Sequence, residues 1–212
     1  MRIAELSRRS DVPVPTIKYY LREGLLPPGE LTSRNQASYG EQHLRRLRLI
    51  RALIDLAHVP VAGVKVVLDA LDSDSMSLHD QLGQVHRAVT PRPQLTANDA
   101  DRVAAEAQVR KLVDDRGWLV EPDAPAIATL IETVAVLRSL DQARLVEHLD
   151  AYAEAVERFT ELEVAAVVTR TDPHQIAESV VIGTILGETL IAALRLLAQE
   201  NVSARRLGGP TT

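Results

Sequence analysis

The stretch Thr16-Ile17-Lys18-Tyr19-Tyr20-Leu21-Arg22-Glu23-Gly24-Leu25-Leu26-Pro27-Pro28 decides the fold of this chain. Residues 14–23 read as a short helix: Pro15 sits in the first turn, where a missing N–H costs nothing, and Gly24 is placed to end it. Upstream, residues 3–9 (IAELSRR) form a second short helix, and Asp11-Val12-Pro13 is the turn between them. Two short helices joined by a tight turn make a helix-turn-helix. Ile17 and Leu21 fall on its packed side. Thr16, Lys18 and Tyr19 carry donors suited to phosphate oxygens and base edges.

Working outward, residues 24–40 hold Pro27-Pro28-Gly29 and a polar run around Arg34, the pattern of a hairpin or wing. Residues 41–57 then predict one continuous helix, with Leu44, Leu47, Ile50, Leu53, Ile54 and Ala57 at helical spacing and Arg45, Arg46, Arg48 and Arg51 on its other face. Pro60 breaks it, and residues 61–71 predict another. Asp72-Ser73-Asp74-Ser75 reads as a linker. Charge sharpens this division. Residues 1–54 hold ten Lys/Arg against five Asp/Glu, a net +5, so with −5 overall the remaining 158 residues carry −10. A basic head on an acidic body confines any polyanion to the head.

The segments I-A-E-L-S, T-I-K-Y-Y-L-R-E-G-L-L-P-P, S-R-N-Q-A-S-Y and H-L-R-R-L-R-L-I-R-A-L occur in order within residues 2–71, and in this the chain resembles the MerR family. The resemblance implies a four-helix winged domain that binds double-stranded promoter DNA as a homodimer on a pseudo-palindromic operator. It further implies that effector binding twists the duplex to correct an over-long promoter spacer, which is deformability chemistry as much as base readout. Carried over by position, Thr16, Lys18, Tyr19 and Tyr20 match recognition-helix contacts, Arg34 the wing arginine and Tyr39 the tyrosine that closes the wing. His43 and Arg45 open the next helix, where contact with phosphate and a plain solvated face are both open readings. The tyrosines have a second reading as rim or core residues, since a tyrosine body packs while its hydroxyl reaches outward. Four features depart from the family pattern: Lys18 in place of arginine, Pro13 in place of a capping serine, His58 where a glycine often ends a helix, and Asn35-Gln36-Ala37 in place of G-Y-R.

Alanine and leucine dominate the rest, aromatics are 3% of the chain, and the fold class expected is all-α: a winged helix-turn-helix followed by a helical effector and dimerisation domain. The boundaries expected are 1–72 for the head, 73–95 for a linker with a short helix, 96–202 for the second domain and 203–212 for a flexible tail. Helices are predicted at 77–89, 98–116 (capped by Asn98 or Thr96), 126–139 and 141–168, and from Asp172-Pro173 to about Glu200. Pro91 and Pro93 interrupt the region where the family carries one long dimer helix. Residues 176–197 are apolar on nearly every face. Glu178, Glu188 and Arg195 within them argue for a helix buried in a core or interface and against a membrane span. Gly183 and Gly187 fit either a close helix approach or a crowded core.

The absence of cysteine excludes disulfides and thiolate sites for metal or redox sensing, and fits a cytoplasmic setting. His79 and His86, seven apart with Asp80 nearby, read as solvated histidines; no metal and no cofactor are expected. Trp118, Tyr152 and Phe159 are the candidates for a small organic effector, against the plainer reading that each is core. No nucleophile elbow, phosphate-binding glycine loop or paired metal-ligand histidines is present, so an enzyme is not expected. RNA polymerase is the further partner expected. The rival to a regulator is an architectural or excisionase-like DNA binder, or a protein-contact module.

Overall fold

The computed structural model describes residues 1–33, 36–73, 75–90, 96–168 and 173–208. They form two compact units: Met1–Gln81 with Ala177–Thr212, and Leu82–Ile176.

The first unit opens with α1 (Ile3–Ser10) and α2 (Val14–Arg22). Asp11 takes a left-handed turn after α1 at φ 55°, and Gly24 does so after α2 at φ 72°. Leu6 of α1 and Ile17 of α2 are fully buried, as are Leu25 and Leu26 beyond Gly24. A short antiparallel hairpin follows, β1 (Glu30–Ser33) with β2 (Gln36–Ser38), in the register Glu30 to Ser38 and Leu31 to Ala37. Gly29 is required ahead of it: a Cβ there would lie 2.7 Å from the Ser38 carbonyl oxygen and 2.9 Å from the Tyr39 ring. Met1 and Tyr39 close the hairpin base by exchanging backbone hydrogen bonds of 2.7 and 2.8 Å.

α3 (Glu41–Arg51) then crosses α1, burying Leu44, Leu47 and Ile50. The continuous helix predicted to residue 57 is not what forms. Ala52–Leu56 is a π-helical turn closed by Ala57 N–H to the Ala52 carbonyl at 3.1 Å. The added residue per turn keeps Leu53 buried while leaving Leu56 52% exposed. His58 reverses the chain at φ 54° in the place of a glycine. α4 (Val61–Leu71) completes the head core with Val64, Val67 and Leu68.

α5 (Leu78–Val89) is the short helix expected before Pro91 and Pro93, which lie outside the described residues. In the second unit, α6 (Asp99–Arg116) packs on α7 (Pro125–Ser139) around Ala105, Val109, Val134 and Ala135, joined by Val146 of α8 (Ala143–Val146). Asn98 is the α6 cap, its side-chain oxygen accepting from Asp101 N–H at 2.9 Å. The single helix expected over 141–168 is divided between α8 and α9 (Leu149–Val168).

α10 (Pro173–Leu207) runs well past the predicted end at Glu200 and takes in the first half of the expected tail; its expected cap, Asp172, lies outside the described residues. Val181 and Ile185 are buried, but from Ala192 to Gly208 every residue is exposed, with Leu190, Leu194 and Leu197 at 58, 51 and 63%. Of the two settings expected, a core and an interface, a core within the described residues is not what forms over 192–208: the apolar ridge extends beyond anything the described residues pack against it. A Cβ on Gly183 would meet open space, so crowding does not explain that glycine. Glu178–Leu207 is long and apolar enough to cross a membrane by length and composition. Glu188, Arg195, Gln199 and Arg206 nonetheless share one face of it at helical spacing, a polar stripe that hydrocarbon disfavours.

Candidate nucleic-acid interface

The exposed side of α2 presents Lys18, with Thr16 and Tyr19 half-buried beside it. The Arg22 guanidinium lies 5.4 Å from the Tyr19 ring centre, fixing that ring by a cation–π contact. Tyr20, expected as a DNA contact, points the other way and is 8% exposed. It lines a 220 Å³ hollow with Thr16, Arg51 and Asp55. Burial, with the nearby Asp55 carboxylate, pushes its phenol above the usual range. Its ring is support for α2 rather than a surface for a base.

The wing residues divide similarly. Arg34 lies outside the described residues. Tyr39 is 7% exposed and stands edge-on to His43 at 5.2 Å between ring centres. His43 is 3% exposed, so neither of its two expected settings, phosphate contact or solvated face, holds. Its Nδ1 accepts from Gly40 N–H at 3.0 Å, capping α3, and this leaves Nε2 as the donor facing the Pro28 carbonyl at 3.4 Å. A histidine three residues after a glycine at a helix start was a legible capping signal.

Ion pairs sort the basic residues of the head. Nine of the ten Lys/Arg in residues 1–54 are described, and six have carboxylate partners. Arg9 holds Glu41 at 2.6 Å, tying α1 to the start of α3. Arg46, 15% exposed, forks onto Asp72 at 2.6 and 2.7 Å and donates to the Leu25 carbonyl at 3.0 Å. Arg51 bridges Asp11 and Asp55 at 3.2 and 3.0 Å. Arg45 donates to Glu178 of α10 at 2.7 Å. Arg2, Lys18 and Arg48 are exposed and have no ion-pair partner among the described residues. The sequence singled out Lys18 of these three. Arg2 and Arg48 were not separable from the paired arginines without side-chain geometry.

The effector candidates of the second unit are not one site. Trp118 walls a 570 Å³ groove against α9. Phe159 lines a different groove of 370 Å³ with Arg158 and Leu162. Tyr152 is 52% exposed. Elsewhere in this unit Glu132 is 5% exposed, and its Oε1 accepts from Thr96 N–H at 2.6 Å and Ala97 N–H at 3.0 Å. Those backbone bonds hold its carboxyl below the usual range. Among the described residues no group of three or more metal-ligating side chains forms.

Two short helices, a hairpin, and a cation on the second helix define a winged helix-turn-helix head. Residues 1–71 match the model described as MerR HTH family regulatory protein. The chain is 37% identical to SCO5550 from Streptomyces coelicolor A3(2), a crystal structure described as a candidate transcriptional regulator, with a TM-score of 0.70 and full coverage of both chains. It is 44% identical over 50 residues to the HTH-type transcriptional regulator ZntR homolog of Haemophilus influenzae, and 32% over 79 residues to the mercuric resistance operon regulatory protein of Bacillus cereus. Those stretches are 24 and 37% of this chain and 37 and 59% of the two relatives. The chain belongs to the MerR family.

Proposed function

We propose that this protein is a transcriptional regulator that binds, as a homodimer, a pseudo-palindromic operator in promoter DNA and changes transcription by distorting the duplex. In this reading α2 enters the major groove, Lys18, Thr16 and Tyr19 contact DNA, and the hairpin with Arg34 follows the flanking backbone. Arg2 and Arg48 add phosphate contacts. RNA polymerase at the same promoter is the partner, and the cytoplasm is where the protein acts.

The observation that carries the reading is Lys18, exposed and without an ion-pair partner among the described residues, on the second helix of a winged head whose other described cations are largely committed to carboxylates. The names of the relatives support regulation. The exposed ridge of Leu190, Leu194 and Leu197 supports dimerisation, because it is apolar surface that a second copy would cover. A thiolate mercury site is not open to a chain without cysteine, so the proposed effector is a small organic molecule bound in the second unit.

Footprinting on the DNA upstream of the protein's own gene, at two salt concentrations, tests this. A protected two-fold site between the promoter elements is expected, with protection shrinking at the higher salt. No protection at either salt would overturn it.

A further inference from the structure

We propose that the Trp118 groove takes a small organic amine, with an apolar body in the groove and its ammonium on Glu161. This rests on the effector reading above and names the ligand class.

Residues 156, 160 and 164, with 157, 161 and 165, lie on one side of α9 at helical spacing. Val156, Val164 and Ala165 form its apolar floor, and Trp118, just past the end of α6, is the wall. The indole is fixed, because its Nε1–H donates to Glu157 Oε1 at 3.0 Å. Glu157 is in turn matched by Arg116, whose Nη1 donates to Oε2 at 3.1 Å. Arg116, 16% exposed, is itself anchored on Asp150 at 2.7 and 3.0 Å. The Glu157 charge is therefore spent on building the wall.

Glu161 is different. It stands one turn further along the same face, exposed, with no ion-pair or hydrogen-bond partner among the described residues. Among the described residues no lysine, arginine or histidine lines the groove. An apolar trough of 570 Å³ with one uncompensated carboxylate and an indole wall selects a cation over an anion. The Thr160 hydroxyl adds an acceptor beside that carboxylate, which favours an N–H-bearing amine. The Phe159 groove lacks this bias, since Glu154 and Arg158 both line it.

Trp118 is the single tryptophan of the chain, so its emission reports on this groove alone. The full-length protein is titrated with 4-phenylbutylamine, 4-phenylbutanol and 4-phenylbutyrate, following Trp118 emission and, in parallel, heat by calorimetry. The amine is expected to saturate, the alcohol to bind about tenfold more weakly and the carboxylate not at all. Glu161→Gln is expected to reduce the amine to the alcohol's affinity and to leave the alcohol unchanged. Equal affinity for all three, an amine preference that survives in Glu161→Gln, or no heat and no emission change with the amine would each overturn the proposal. The assay contains no DNA. A footprint without amine binding therefore removes this ligand class and leaves the regulator standing; amine binding without a footprint does the reverse.

Discussion

Lys18→Ala and Arg46→Ala are expected to fail in opposite ways. Both residues are basic, both lie in the head, and composition cannot tell them apart. Lys18 is exposed on α2 without an ion-pair partner among the described residues. In the proposed dimeric DNA complex its loss removes one phosphate contact per protomer, and it removes no ion pair within the described residues. At about 1 kcal/mol per exposed charged contact, a dimer loses about 2 kcal/mol, or roughly thirtyfold in Kd. The plot of log affinity against log salt should flatten by about 0.9 per contact, about 1.8 per dimer. Thermal unfolding should not move. Arg46 presents the converse case, with three hydrogen bonds that join α3 to the Leu25 carbonyl and to Asp72 at the end of α4. Its removal leaves a carbonyl and a carboxylate without their donor and should cost about 2 kcal/mol of stability, lowering the unfolding midpoint of the head by roughly 8 °C or more. The salt slope should stay that of the wild type. Fluorescence anisotropy on the footprinted operator at five salt concentrations, with circular-dichroism melts of the same samples, measures both. A flatter salt slope for Arg46→Ala, or an unchanged slope for Lys18→Ala, would refute the sorting of cations by ion pairing.

Further outcomes are expected elsewhere. His58→Gly should stabilise the head by roughly 0.5–1 kcal/mol in denaturant unfolding, because φ 54° is strained for a side chain and free for glycine. Leu47→Ala, at a fully buried position of α3, should cost about 2–5 kcal/mol and abolish DNA binding only to the extent that the head unfolds. Glu132 is held below its usual range by the Thr96 and Ala97 N–H groups, so it binds its proton more readily unfolded than folded. Its stabilisation is complete above the unfolded value of about 4.5 and disappears as pH falls through the folded value. Acid unfolding of Glu132→Gln should accordingly be less steep than that of the wild type, and identical acid transitions would contradict the assignment.

The head was legible because its signals are local. Pro15 and Gly24 bound α2, the spacing of Leu44, Leu47 and Ile50 sets the buried face of α3, and Pro27-Pro28-Gly29 announces the hairpin. Each depends on backbone geometry within a turn or two, which residue type constrains directly. The same holds for the Asn98 cap and for the ends of α5 and α7 within a residue or so. Side-chain destinations depend on partners distant in sequence, and these only the tertiary structure decided. Tyr19 and Tyr20 are adjacent and chemically identical, yet a rotation of about 100° per residue sends one toward solvent and the other into the core. Arg46 and Arg48 both read as parts of one basic face, until Asp72, 26 residues away, claims the first. Trp118 and Phe159 read alike, as effector candidates or plain core, until the structure places each in a separate groove along α9. The apolarity of α10 was plain in its sequence. Its exposure was not, because burial depends on whether other surface is available to pack against it, and from Ala192 onward the described residues offer none.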